Sequence, residues 1–441
     1  MRSNLVFATA ATLLLTACAQ GSPQPFAGFG ESPELPSPKS SLIPTLNARQ
    51  AVGWPPGGAP VAPPGFKVTR YAGGLAHPRW LLVLPNGDVL VSEASSEAKP
   101  AKGIQDWIAN MLQKKAGAAM PSPNRITLLR DADGDGVAET RTTFAQGLTR
   151  PFGMTLAGGK LYVANDDGVV AFPYSDGQTS VAGTGAKVFD LPGGPINHHW
   201  TKNVVASPDG TRLFATVGSN SNAAENGIEN ETNRAAVMVY PLPSGPLRVY
   251  ASGLRNPNGL DFEPATGTPW TAVNERDMLG DDLVPDYMTG LQDGAFYGWP
   301  YSYFGQNVDE RVKPQRPDMV AKAIKPDYAL GAHTASLGLV FYRGDLFPAR
   351  YKGGVFIGQH GSWNRRPPSG YRVVFVPFAN GKPSGQPEVF LSGFLNAKDE
   401  AQGRPVGVAV DRAGALLVAD DVGKAVWRVT PAEAPPAPAP R

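Results

Sequence analysis

Gly147-Leu148-Thr149-Arg150-Pro151-Phe152-Gly153-Met154-Thr155-Leu156-Ala157-Gly158-Gly159-Lys160-Leu161-Tyr162-Val163-Ala164-Asn165-Asp166 is one complete copy of a repeat, and its reading decides the fold. The first half is a Gly-Leu followed by a proline and a strand. The second is a glycine turn opening a run of Leu, Val and aromatics that ends on polar residues, the pattern of a hairpin strand. The first half recurs at Gly74-Leu75 with His77-Pro78-Arg79-Trp80, at Gly253-Leu254 with Asn256-Pro257-Asn258-Gly259, and loosely at Gly393-Phe394 with Gly403-Arg404-Pro405. The second half recurs before Asp88–Ser92, Leu213–Val217, Trp270–Val273, Val355–Ile357 and Leu416–Val418, making six with Leu161–Val163. Six copies in fixed order predict an all-β, six-bladed β-propeller rather than a β-sandwich with decorated loops. The turn glycines lie 72, 51, 57, 87 and 60 residues apart, more than the roughly 40–50 residues of a minimal blade. The excess reads as long loops, which carry function on rigid frames.

Composition agrees. With 51 Gly and 44 Pro but only 18% charged residues, the 441-residue chain is rich in turns and poor in charged helices, which excludes coiled coils and bundles. A net charge of +2 without a basic block leaves no footprint for nucleic acid. One inserted segment has helical spacing: Ile104, Trp107, Ile108, Met111 and Leu112, with Gly117 as a stop, predict an amphipathic helix packed on the propeller flank, membrane contact being the alternative.

The ends read as export. A short basic start, an apolar run from Leu5 to Leu15 and Leu15-Thr16-Ala17-Cys18 predict a signal peptide over residues 1–17 with Cys18, the single cysteine, as a lipidation site. An ordinary secretory peptide is the alternative. Residues 18–64 are Pro-rich and predict an extended tether, 65–430 the propeller, and 431–441 a disordered Pro/Ala tail. The expected setting is the bacterial cell envelope, as an exported lipoprotein meeting the membrane only through its lipid.

Polar residues follow each repeat strand: Glu93, Asn165-Asp166, Ser219-Asn220, Glu275-Arg276, His360 and Asp420-Asp421. In a propeller these positions ring one funnel, which suits a site. Asn197-His198-His199-Trp200-Thr201-Lys202 adds histidines, suited to taking a proton near neutral pH. His77, Arg150, Arg255 and Arg404 occupy comparable places of the repeat, and converging arginine forks suit a small ligand with several carboxylates. Two acidic stretches suit a hard cation. One runs from Asn274-Glu275-Arg276-Asp277 through Asp281, Asp282 and Asp286. The other holds Asp131, Asp133, Asp135 and Glu139 at positions 1, 3, 5 and 9 of a calcium-type loop, with Gly136 at position 6 but Thr142 at position 12, where a bidentate Glu belongs. An Asp/Gly turn without metal is the alternative there.

As an ordered set, His199-Trp-Thr-Lys202, Ser207-Pro-Asp-Gly210, Arg255-Asn-Pro-Asn-Gly259, Asn274-Glu-Arg-Asp277 with Gly280-Asp-Asp282, Tyr297-Gly-Trp-Pro300 and His360-Gly-Ser-Trp-Asn-Arg365 resemble the glucose/sorbosone dehydrogenase family. The resemblance runs from about Pro64 to Val429. It implies a six-bladed enzyme that oxidises sugars with pyrroloquinoline quinone (PQQ) and calcium, passing electrons to an acceptor of the respiratory chain. It implies that His199 takes the sugar hydroxyl proton, that Arg255, Asn256, Arg276, Asp282, His360 and Arg404 contact the cofactor, and that the backbone carbonyls of Asp277 and Met278 hold a catalytic calcium. Three positions depart from the soluble glucose enzyme. Ser219 stands where a carboxylate orients the histidine, Asp277-Met278 replaces a Gly-Pro, and Val406 replaces a second arginine, departures consistent with the sorbosone-type branch. A calcium-dependent propeller lactonase and a non-catalytic binding propeller are the competing functions.

Overall fold

The computed structural model describes residues 28–39, 45–96, 104–118 and 120–432. The expected signal peptide, Cys18, the start of the tether and most of the tail lie outside these residues. Six antiparallel four-stranded sheets form the expected propeller. The second strands of the blades are Val89–Glu93, Lys160–Ala164, Arg212–Val217, Pro269–Val273, Val355–Gln359 and Leu416–Asp420, which are the six runs of the repeat. The four proline halves lead into innermost strands, Pro78–Val83, Met154–Ala157, Pro257–Phe262 and Pro405–Val410, and Val204–Ala206 and Ser336–Phe341 are innermost strands without that signature. The ring closes by pairing the early strand Phe66–Ala72 with Ala425–Pro431 at the edge of the last blade.

The repeat glycines have a steric cause. A Cβ at Gly153, Gly259, Gly338 or Gly407 would collide with the innermost strand of the next blade, at Asn203, Leu337, Val406 and Arg79 respectively. Only glycine lets these strands approach so closely. Trp80, Phe152, Leu337 and Val406, with Trp200 against them, form a separate buried cluster that joins residues of these inner strands. Val406, at the place of a second arginine, is fully buried in this plug.

Two expectations are corrected. Residues 28–39 and 45–64 are a strap laid on the propeller, not a free tether. Phe29–Gly30 adds a fifth strand to blade 4, beside Tyr328–Ala332. Lys39 N donates to Leu279 O at 2.9 Å, Asn47 N to Trp363 O at 2.7 Å and Val52 N to Ala401 O at 2.9 Å. The Trp54 indole donates to Asp420 Oδ2 at 2.7 Å and packs edge-on against Phe394 and Trp427. A strap with irregular spacing buries its few apolar groups one contact at a time, so it shows no period. The helix forms over Ile104–Lys115, but Trp107 and Met111 are 60% and 49% exposed, so these two residues of its apolar stripe are not packed on the flank.

Candidate active site

Because successive strands are antiparallel, the starts of the innermost strands and the ends of the second strands meet on one face, around the plug. All five histidines of the chain, His77, His198, His199, His333 and His360, flank these strand ends.

His199 is half-buried beside the end of a second strand. Its Nδ1 lies 2.9 Å from Ser219 O and 3.0 Å from Ser219 Oγ. A carbonyl only accepts, and the Ser219 hydroxyl donates to Ser221 O at 2.6 Å, so the ring proton sits on Nδ1 and Nε2 keeps its lone pair. The carboxylate absent at position 219 is thus replaced by that residue's own main-chain oxygen. Burial first, then the Arg255 guanidinium and His198, hold the His199 imidazole well below its usual pKa, so it is neutral at pH 7. Gly218 makes the geometry possible, since a Cβ there would strike both His199 and Asn256. Lys202, wholly buried, braces the loop by donating to His199 O and Trp200 O at 3.2 and 3.4 Å, and burial lowers its ammonium to about 7.

Arg255 and Asn256 lie next to His199. Arg255 donates to Glu275 O at 2.7 Å and Asn222 Oδ1 at 2.9 Å and pairs with Asp277 at 3.2 Å. Asn256 Oδ1 is buried without a partner. On the opposite side of the funnel, Asp421 gathers His360 Nε2 at 2.8 Å, His77 Nε2 at 3.5 Å and Arg79. Burial raises the Asp421 carboxyl, but the rings of His360, which bonds to it through Nε2, and His77, together with the Arg79 guanidinium, outweigh burial and bring it down. Burial brings the two imidazoles down to about 3 and 4, so both are neutral near pH 7. His360 therefore donates from Nε2 and keeps Nδ1 as an acceptor. Arg404 donates to His360 O at 2.9 Å and Gly361 O at 2.7 Å. Among the described residues no carboxylate pairs with its buried guanidinium. Arg150 pairs with Asp166 and stacks over Trp200, 5.4 Å from the ring centre.

These features fit a planar, multiply anionic cofactor such as PQQ: an aromatic floor, an unpaired buried guanidinium at Arg404 and an unsatisfied amide oxygen at Asn256. His199, Arg255, Asn256, His360 and Arg404 are brought to this funnel. Two expected cofactor residues are not. Arg276 is fully buried against Asp309 and Pro300 O, in the 291–327 connection. Asp282 is 66% exposed and holds Arg365 at 2.7 Å. The Asp277 and Met278 carbonyls do not fit a metal: Asn222 Nδ2 donates to the first at 3.2 Å and Arg311 Nη1 to the second at 2.9 Å. The Asp277 carboxylate is also consumed, by Arg255, by Asn364 at 2.8 Å and by His333 Nδ1 at 3.3 Å.

His333, Asn222 and Arg311 have no place in the sequence reading. His333 precedes an innermost strand as His77 and Arg150 do, so repeat position could have found it. Asn222 and Arg311 stand in loops outside the repeat. The other acidic loop, Asp131, Asp133, Asp135 and Glu139, does assemble, with one ligand atom from each within 4.8 Å of the others. Lying between Arg125–Arg130 and Thr140–Gln146, it is on the face away from the funnel.

Comparison with known proteins agrees with this architecture. The glucose/sorbosone dehydrogenase family model matches residues 163–362, and a TrAA12-like model matches 304–432. A Borreliella burgdorferi protein without an assigned function is 28% identical over 361 residues, covering 77% of this chain and 93% of its own. A PQQ-dependent pyranose dehydrogenase of Coprinopsis cinerea is 28% identical over 290 residues, 52% of this chain but only 39% of that relative. Its holo PQQ domain superposes with a TM-score of 0.65 at 21% identity, covering 84% of this chain and 97% of that one. A calcium structure of a Trichoderma reesei family AA12 enzyme gives 0.66 at 18% identity, covering 85% and 97%. These structural likenesses establish the propeller, and over residues 163–362 the chain is similar to the glucose/sorbosone dehydrogenase family.

Proposed function

We propose that the protein is a PQQ-dependent sugar dehydrogenase acting on a CH–OH or aldehyde group, with His199 as general base. The observation that carries this is the free Nε2 of a neutral His199, held by Ser219 O beside Arg255 and Asn256 on the face that also carries Arg404. When bound, PQQ supplies an electrophilic carbonyl carbon that accepts hydride. The chain's own part is to bind and to move a proton. Arg255, Arg404 and Asn256 would hold the cofactor's carboxylates and polar edge over the plug. His199 Nε2 accepts the hydroxyl proton, without which the neighbouring C–H bond cannot leave as hydride.

The proposal includes calcium only at the Asp131 loop, where four carboxylates converge. It also includes export with lipidation at Cys18 and reoxidation by a respiratory-chain acceptor. Protein mixed with PQQ should reduce an artificial dye in the presence of aldoses. His199→Ala should lower turnover by about 10²–10⁴-fold, the range for a positioned base, with PQQ affinity nearly unchanged. Failure to bind PQQ, with no turnover on any sugar or aldehyde, would overturn the reading.

A further inference from the structure

The turn at Asp277–Met278 carries the two carbonyls that the family resemblance assigns to a catalytic calcium. Calcium needs about six to eight oxygen ligands at about 2.3–2.6 Å. Here the Met278 carbonyl faces a guanidinium nitrogen 2.9 Å away. A divalent cation sharing that oxygen would meet the positive charge of Arg311 at close range. The negative charge that would attract a metal is already neutralised. Asp277 is ringed by Arg255, His333 and Asn364. Both ring nitrogens of His333 face oxygen atoms, Asp277 Oδ1 at 3.3 Å and Gly280 O at 2.8 Å, so the ring braces the same turn.

Arg311 is aimed by its own neighbour. Asp309 Oδ1 accepts from the Arg311 main-chain N at 3.0 Å and from Nε at 3.2 Å, while Oδ2 accepts from Nη2 at 3.2 Å. That fork leaves Nη1 for Met278 O, a placement a lysine could not reproduce. Asn222 completes the cap, donating to Asp277 O and accepting from Asp277 N at 2.9 Å.

We propose that Arg311, oriented by Asp309 and assisted by Asn222, takes the place of calcium at the Asp277–Met278 turn, so that the turn binds no divalent cation and PQQ binding is independent of one. The second clause rests on the proposed PQQ reading; the first does not.

The test uses the full chain carrying Asp131→Asn and Asp133→Asn, which disarm the far-face loop, after dialysis against a chelator. Calorimetric titration with calcium to about 1 mM, the weak end of protein calcium sites, should show no binding, with or without PQQ. PQQ affinity, read from tryptophan quenching, should agree within about twofold between chelator and calcium buffers. Calcium binding in this variant, or a tenfold or greater loss of PQQ affinity in chelator, would overturn the proposal. If PQQ binds in neither buffer, the proposed function falls, while the calcium titration still decides this inference. Adding Arg311→Ala should create a calcium response in thermal melting. A folded Arg311→Ala protein without that response would refute the role of Arg311, and if this variant does not fold, the titration with Arg311 intact still decides.

Discussion

Two acidic stretches that look alike in sequence differ in structure. Asp131, Asp133, Asp135 and Glu139 face one another in a largely exposed hairpin, where main-chain N–H groups such as Gly134 N and Gly136 N donate to them. Asp277, Asp281, Asp282 and Asp286 are each claimed by groups from distant loops. Asp286 accepts from Ser336 N at 2.8 Å and Thr334 Oγ1 at 2.9 Å, and Arg365 holds Asp281 O and Asp282 at 2.7 Å. The density of carboxylates therefore says little about metal binding. At Asp277 and Asp282 what decides is that arginine or histidine reaches them first, because a carboxylate already paired with a guanidinium has little charge left to offer.

The largest effect expected from breaking this contrast is at Asp277. Asp277→Ala leaves Arg255 and His333 buried without their carboxylate and should cost about 3–5 kcal/mol in denaturant unfolding. Its pH signature has two limbs. Burial opposes ionisation of Asp277, yet His333 and Arg255 bring its pKa down to about 2. Its stabilisation is therefore present above the unfolded carboxylate pKa and lost as pH falls through about 2. His333 is raised despite burial, through its bond to Asp277. Its contribution is complete below the unfolded imidazole pKa and lost as pH rises through the raised folded value. Both limbs should vanish in Asp277→Ala, and a variant with an unaltered pH profile would contradict the pairing.

The open loop should respond to metal instead. Calcium at a hundred times its dissociation constant should add about 2.7 kcal/mol to unfolding stability, and Asp133→Asn should abolish the gain. No calcium-dependent shift in the unmodified protein would remove this loop from the metal reading. A smaller effect follows from adding a carboxylate to the capped side. Ser219→Asp should raise the His199 pKa and move the acid limb of sugar oxidation to higher pH by about one unit, equivalent to about 1.4 kcal/mol. The smallest is expected at Asp282, whose pair with Arg365 is exposed: Asp282→Asn should change stability by about 0–1 kcal/mol.

Much of the frame was legible. The six second strands, the innermost-strand prolines and the close-approach glycines such as Gly153 and Gly259 all stood in the repeat. So did His199, Arg255, Asn256, His360 and Arg404, because a repeat in sequence becomes a ring in space. Residues outside the repeat were not legible. Arg276 follows a strand end like its counterparts, yet the insertion carrying Asp309 and Pro300 draws it away from the funnel. The Pro-rich strap gave no sign that Trp54 would meet Asp420, whose carboxyl burial raises to about 6 although Trp427 and Trp54 both donate to it.

Sequence alone determined the number of blades, the second strand of each and the polar character of the strand ends, because turn chemistry and strand alternation act over a few neighbouring residues. Only the tertiary structure decided which partner each charged group meets. Arg79 with Asp421, Arg255 with Asp277 and Arg311 with Met278 O become neighbours when the ring closes and the long connections fold over its face. Electrostatic pairing depends on distance in space rather than along the chain, so a site built from such pairs takes its chemistry from the closed ring.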